Sequence, residues 1–505
     1  MFYRILMEQR TLRRNEGESM NQEIKKKCGL LLLGIVLLVL LLAIGRIRQQ
    51  NAESEDEKAQ ENTQGEQTEE GQQAIPVPQY NGRIRVLIKT NGYAGLYHES
   101  LEITEGEVVW TFQMEEDGCY LNGVCVKEEY FPICLEEQEG LRRSVTSLER
   151  GYGNPALEGS LEIHKAEQGL VLVNELPLED YLKYVVPSEM PASYEKEALK
   201  AQAVCARTYA YAQMQAYAYP EYLAHVDDSV SFQVYQNSGA AETTNAAVAE
   251  TAGQILSYQG QAIQAYFFST SWGHTSNENI WWAGDSSATP YLLEKCTDST
   301  GETLDLTSEE AFLEFLRSPR EACYDSSISW YRWTTRIDVE TLSQHLNDNL
   351  YTRYQANPEA ILTKKSGEFV SSPVKTIGTI EKIEVLERGA GGVLQKVQVT
   401  GSRRTIQIST EYNIRALLNA QGETICRQDG SEVEGGALLP SGYFTITPEY
   451  EDRKLGGFLL EGGGYGHGVG MSQNGANQMA KEGSTWEEIL RFFYTGVDLT
   501  SISEL

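Results

Sequence analysis

The chain has 505 residues, of which 41% are apolar and 28 are tyrosines, enough for a large core in one domain or several. Its formal charge of −30 argues against a nucleic-acid partner, which takes a basic surface.

Residues 1–27 are polar and end in Lys25, Lys26 and Lys27, and Cys28 to Gly45 then run without a charge. Eighteen apolar residues just span a bilayer. The lysines on the N-terminal side put residues 1–27 in the cytoplasm and all that follows outside, although Arg46 and Arg48 blunt the asymmetry. A cleaved secretory signal fits less well, because the polar start is long and no A-x-A-like site follows. Residues 46–80 are rich in Gln, Glu, Asn and Ser, and such a segment buries too little apolar surface to offset its ordering entropy. It reads as a disordered acidic tether.

From Arg83 the run RIRVLIKT alternates as a half-buried strand does, and EVVWTF, SLEIHK and GLVLVNEL follow between turn signals. Residues 83–175 therefore read as mostly β. Cys119, Cys125 and Cys134 fall here at spacings that match no C-x-x-C zinc pattern. With Cys28 set aside, seven cysteines remain, and their pairing is not legible; Cys205 reads as a buried thiol.

The stretch from Val185 to Pro220 begins apolar, turns at Pro187 and Pro191, and becomes a long alanine-rich helix. Ser193 is a fitting N-cap, and Pro220 cannot continue the helix. Lys200 and Arg207 are seven apart, which places them within roughly 20° of each other and about 10 Å apart along the axis. Glu189 lies in the proline-flanked loop before them. One carboxylate on a stiff turn beside two cations suits an extended anionic substrate. A helix-start acid and a solvated basic face would leave the same pattern.

Beyond the helix, Asp227 and Asp228 precede SFQVYQ, and an apolar strand runs into a polar loop holding Trp272, Trp281 and Trp282. Exposed tryptophan faces stack on sugars, whereas buried ones fill cores. Residues 291–460 alternate between helical segments (LTSEEAFLEFLRS, STEYNIRALLNA) and a hairpin around Gly389 to Gly392, and read as scaffold. Gly462 to Gly470 hold six glycines around Tyr465 and His467, a flat loop that a long polymer could approach closely. MSQNGANQMAKEG reads as a short helix, and Ser484 with Glu487 as a capping box for the next.

The blocks NELPLEDYLKYVVPSEMP, EALKAQAVCARTYAYAQ, DDSVSFQVY, YFFSTSWGHTSNENIW and GGGYGHGVGMSQNGA resemble, in order, those of the SpoIID/LytB family, over roughly Arg83 to Val497. SpoIID-like members are lytic transglycosylases acting on peptide-stripped glycan strands, and LytB-like members are described as amidase enhancers. The resemblance implies that Glu189 is the catalytic acid and base. It implies substrate contacts at Lys200, Arg207, Gln233, Tyr235, Ser269, Ser271, His467, Ser472 and Gln473.

The expectation is an α+β fold: a membrane anchor, the tether, and one extracellular unit over 81–500 with a long central helix. Within that unit, 176–290 carry the catalytic helix and groove loops, and 461–497 the glycine-rich loop and C-terminal helix. The expected activity is non-hydrolytic cleavage between N-acetylmuramic acid and N-acetylglucosamine. Peptidoglycan glycan is the partner, and a cell-wall amidase joins it under the alternative of a non-catalytic enhancer. No cofactor is implied. His274 and His467 fall short of the three ligands a catalytic zinc takes, and H-E-x-x-H is absent.

If Cys28 to Gly45 anchor the chain, it should pellet with membranes and resist alkaline carbonate. Protease added to protoplasts should cut within 49–80 and release a folded fragment. Mature protein starting after residue 45 in the medium would instead show a cleaved signal.

Overall fold

The computed structural model describes residues 78–282, 289–318 and 320–504. The N-terminal segment, the apolar span and the tether up to residue 77 lie outside these described residues. Among the residues described, no helix is long and apolar enough to cross a membrane.

The fold is α+β. Among the described residues eight helices, α1 (Leu178–Glu189), α2 (Lys196–Gln213), α3 (Glu242–Glu250), α4 (Glu309–Arg317), α5 (Val339–Ala356), α6 (Glu411–Leu417), α7 (Gln473–Lys481) and α8 (Trp486–Phe493), accompany six small sheets. The first strand, Arg83–Ile88, pairs antiparallel with Gly169–Pro177 and parallel with Val226–Asp227. Its alternation is two-sided: Ile84, Val86 and Ile88 enter the main core while Leu87 fills a smaller cluster with Val171 and Val173. Gly169–Pro177 leads straight into α1, so the sheet fixes where that helix starts.

Helix α2 is the centre of the main core. Ala198, Ala201, Ala203, Ala206 and Ala210 are all buried, and such small side chains let neighbouring helices approach closely. α1, α3, α7 and α8 all pack on it. Two expectations about its ends are corrected. It starts at Lys196 after Glu195, not at a Ser193 cap, and it stops at Gln213, well short of Pro220. Tertiary contacts override propensity there: the Tyr217 ring stacks on His225 at 4.9 Å, and the Tyr219 hydroxyl donates to Asp227 at 2.6 Å.

The long segment read as scaffold has a second core of its own, built from Trp333, Leu342, Leu346, Val397, Ile406, Phe458 and others. The expected hairpin is present as Ile380–Arg388 with Leu394–Gly401. Near the C-terminus the capping box sits one residue later than expected, on Thr485 and Glu488. All seven described cysteines are free thiols, and Cys205 is fully buried against Tyr494 and Met471.

Arg207 is where the largest correction falls. Its side chain is completely buried and grips Glu179 of α1 with two bonds, at 2.7 and 2.8 Å. The remaining donors reach Thr251 and the carbonyls of Val248 and Gln254. Val248 belongs to the last turn of α3, whose carbonyls lack helical partners, so the guanidinium caps that helix while tying α1 to α2. Lys200 is similarly engaged, with Glu197 at 2.9 Å and Glu250 at 3.0 Å, but in a more open setting. Arg207→Ala should therefore lower stability by roughly 3 kcal/mol, seen as an earlier denaturant midpoint. Lys200→Ala should shift that midpoint little. An Arg207→Ala variant with unchanged stability and lost turnover would return the residue to the substrate.

Candidate active site

Glu189 is the last residue of α1, not a residue of a loop before α2 as the sequence suggested. The helix runs through Pro187, which lacks an amide to offer the carbonyl four residues back. The next residue adds a side-chain bond within the same turn: the Ser188 hydroxyl donates to the Tyr184 carbonyl at 2.6 Å. The same oxygen accepts the amides of Asn237 and Ser238 at 3.0 and 2.9 Å. Ser188 thus locks the segment 231–238 over the end of α1.

That lock sets the acid's only strong contact. The Val234 amide donates to Glu189 Oε1 at 2.6 Å. The carboxyl is deeply set yet not sealed from solvent. Burial pushes its pKa up to about 7, against the opposing pull of the Val234 bond. A carboxylate at a helix C-terminus also lies at the negative end of the macrodipole, which adds to the same direction. Neither Lys200 nor Arg207 figures among the influences on it, so the expected tug between desolvation and two cations does not arise. The phenols of Tyr93, Tyr181 and Tyr209 feel the Glu189 charge and are raised, chiefly by their own burial.

From the far end of the chain, Gln473 at the start of α7 donates to the Glu189 main-chain carbonyl at 3.1 Å. Asn474 beside it accepts from the Tyr194 hydroxyl at 2.6 Å and donates to the Ser269 carbonyl and Thr270 hydroxyl. Residues 284 apart in sequence thereby close one site.

The other expected contacts divide sharply. Gln233 and Tyr235 flank the Val234 amide but are themselves buried. Gln233 donates to the Ala206 carbonyl, and the Tyr235 hydroxyl donates to Asn174. Ser271 and Ser472 are buried too. Ser472 caps α7 and donates to Asp325 at 2.6 Å, while Ser271 accepts from Gly273 and passes its own proton to the His274 carbonyl. With Arg207, these four are corrected from substrate contacts to internal supports, because their polar atoms are already spent. Ser269 and His467 stay half-buried. Burial pushes the His467 imidazole down to about 4, so it is neutral, and it sits between Phe268, Trp281 and Tyr266.

Asp227 and Asp228 are also spoken for. Asp227 accepts from Tyr219 and Ser229, and Asp228 pairs with Arg150 at 2.7 Å. Trp272 is core, stacked on Tyr443 with centroids 5.4 Å apart. The glycines of the glycine-rich loop serve the protein's own packing: a Cβ on Gly464 would meet the Thr270 carbonyl at 2.9 Å, and one on Gly470 the Tyr266 carbonyl at 2.0 Å. His274 spends both ring nitrogens on backbone groups, of Thr275 and Leu304. Among the described residues, no three His, Cys, Asp or Glu side chains converge as a metal site. Sequence reasoning missed the Val234 amide and the Ser188 lock, since a backbone donor leaves no residue-type signal.

A raised carboxyl favours the folded state while it holds its proton. Its contribution is full below pH of about 4.5 and is lost as pH rises through about 7. Glu189→Gln, which cannot ionise, should therefore be more stable than the parent at pH 8, by roughly 3 kcal/mol, with the gap closing toward pH 4. Denaturant midpoints across this range check it, and parallel curves would mean that the carboxyl is unperturbed.

Comparison with known proteins accords with these elements. A family profile described as "Stage II sporulation protein" matches residues 166–258, which hold α1, α2 and the segment over Glu189. A second, described as a domain of unknown function, matches 275–470. The chain is 31% identical to stage II sporulation protein D of Bacillus subtilis over 347 residues, 66% of this chain and 76% of that protein. It is 30% identical to the protein of the same name from Bacillus amyloliquefaciens, covering 65% and 75%. It is also 31% identical to the amidase enhancer of B. subtilis over 63% of its own length, spanning 40% of that larger protein.

Proposed function

The chain belongs to the stage II sporulation protein D (SpoIID/LytB) family, and from that membership we propose that it is a lytic transglycosylase of peptidoglycan glycan strands. The observation that carries the reading is Glu189: a carboxyl on a half-buried residue, whose pKa of about 7 leaves it partly protonated at neutral pH.

Hydrolytic glycosidases use two carboxylates. Here, among the described residues, no second carboxylate figures among the groups that influence Glu189. One suffices if the substrate supplies its own nucleophile. Glu189 gives its proton to the oxygen between N-acetylmuramic acid and N-acetylglucosamine, and the bond from that oxygen to the muramic C1 breaks. The muramic 6-hydroxyl attacks C1, and its proton passes to the Glu189 carboxylate. The new C1–O6 bond makes the anhydro ring, no water is consumed, and the acid is restored. Through both steps the Val234 amide holds one carboxylate oxygen, leaving the other free to trade the proton. Peptide-stripped strands are the substrate under this reading, with Ser269, His467, Gln473 and Lys200 as its proposed contacts. Cys28 to Gly45 would hold the site outside the membrane, facing the wall, with remodelling during sporulation as its setting.

The likeness to an amidase enhancer favours a second reading, in which the protein grips glycan and stimulates an amidase without cutting. The purified full-length chain, incubated with peptide-free glycan and followed by mass spectrometry, separates the two. Under the first reading anhydro-muramic ends appear, turnover falls as pH rises past about 7, and Glu189→Gln loses at least about a hundredfold. Absence of anhydro ends from the parent, with amidase stimulation intact in Glu189→Gln, sinks it in favour of the enhancer.

A further inference from the structure

Between the two cores, a pair of aromatic rings lies beside the loop that supports the acid. Trp330 is carried on the short turn Ser329–Tyr331, and its ring centre is 4.8 Å from that of Tyr465, with the planes tilted by 46°. Tyr465 is 44% exposed, although it lies amid the glycine-rich run. Neither ring is loosely held. The Trp330 carbonyl accepts the Gly464 amide at 2.9 Å, and Tyr465 exchanges both backbone bonds with Thr270. Gln428 clasps the turn from the other side, its side chain donating to the carbonyls of Ser326 and Ile328. Such a platform loses little freedom when something docks on it.

Its position is tied to the acid by direct bonds. Tyr465 pairs with Thr270, whose hydroxyl accepts from Asn474, the residue after Gln473, and Gln473 bonds the Glu189 backbone. A cation completes it. The Arg427 guanidinium lies 5.1 Å from the centre of the Trp330 ring and pairs with no carboxylate among the described residues. Its Nε is buried without a hydrogen-bond partner, and its only side-chain bond is a long one, 3.5 Å to Ser329. Trp330 is half-buried against the second core, but the set it forms with the exposed Tyr465 and the unpaired Arg427 is not explained by core packing alone. It matches the apolar face of a pyranose ring bearing an acidic substituent.

We propose that Trp330, Tyr465 and Arg427 form a remote sugar subsite, in which the rings stack on one residue of the glycan strand and the guanidinium binds the lactyl carboxylate of a muramic acid. The inference rests on glycan being the substrate and adds which strands bind: long ones that reach this platform, and those carrying muramic acid in preference to neutral N-acetylglucosamine polymers.

The test measures binding with the full-length chain in the Glu189→Gln background, so that no turnover intrudes. Peptide-free glycan strands, a muramic-containing disaccharide and a neutral N-acetylglucosamine polymer are the probes. Adding Trp330→Ala and Tyr465→Ala together should weaken long-strand binding about tenfold and leave the disaccharide unaffected, while Trp330→Phe retains most of the affinity. Arg427→Ala should weaken muramic-containing strands and not the neutral polymer. Unchanged long-strand affinity in the double alanine variant, with its unfolding midpoint intact, overturns the proposal. So does an equal loss for disaccharide and long strands, since that marks general damage to the site. Anhydro-product formation by the parent is scored separately, so failure of the cleavage reading is visible whatever the binding shows.

Discussion

The bond from the Val234 amide to Glu189 is the contact on which the functional architecture turns. It holds a carboxyl in a setting that would otherwise expel its charge. Desolvation raises the cost of ionisation, and the amide returns only part of that cost, which leaves the group near neutrality at about 7. A stronger set of donors would drive the group fully anionic and useless as an acid. With no donor at all, a buried carboxyl would keep its proton and could not take one back. One backbone bond is an intermediate solution, and its strength depends on how firmly segment 231–238 is held.

That firmness comes from unlike sources. Ser188 accepts two amides of the segment with a hydroxyl whose own proton goes to the Tyr184 carbonyl of α1. Tyr235 and Gln233 anchor it inside, against Asn174 and the Ala206 carbonyl of α2. Arg207 ties α1, which carries the acid, to α2 and α3. Residues that resemble a substrate-binding set in the sequence thus form the frame of the acid. Arg207 and Tyr235 can matter to activity while touching no substrate.

The sequence made some of this legible. The acid was visible from its motif, and α2 from its alanines and helix formers. The hairpin 380–401 was visible from its period and its central glycines. The orientation of the cations was not. A seven-residue spacing says that Lys200 and Arg207 share a face, but not whether that face meets solvent or another helix. The alanines around Arg207 decide it, because they pull α1 and α3 close enough to bury a guanidinium. Segment 231–238 was found, but the wrong atoms were chosen. Its side chains point inward, and the functional group is an amide common to every residue type but proline. The C-terminal capping box shows a different limit: Ser484 with Glu487 and Thr485 with Glu488 satisfy the same pattern one residue apart, and only packing selects between them.

A second body with its own core interrupts the chain between the loop at 269–276 and α7. Those two stretches pair directly, with Phe267 and Phe268 parallel to Met471 and Ser472, so the site would close equally well across a short connection. Among the contacts the inserted core makes with the site's own frame, the Trp330 carbonyl takes the Gly464 amide, and Arg332 donates to the Trp272 carbonyl. Both contacts fall at the root of the glycine-rich run, where close backbone approaches leave no room for side chains. A Cβ on Gly463 would lie 2.5 Å from the Tyr331 carbonyl. Glycine at these positions is what allows the insert to seat against the loop behind the acid. An inserted body that merely hung from the surface would need no such run, so the glycines are best understood as the seam between the insert and the catalytic frame.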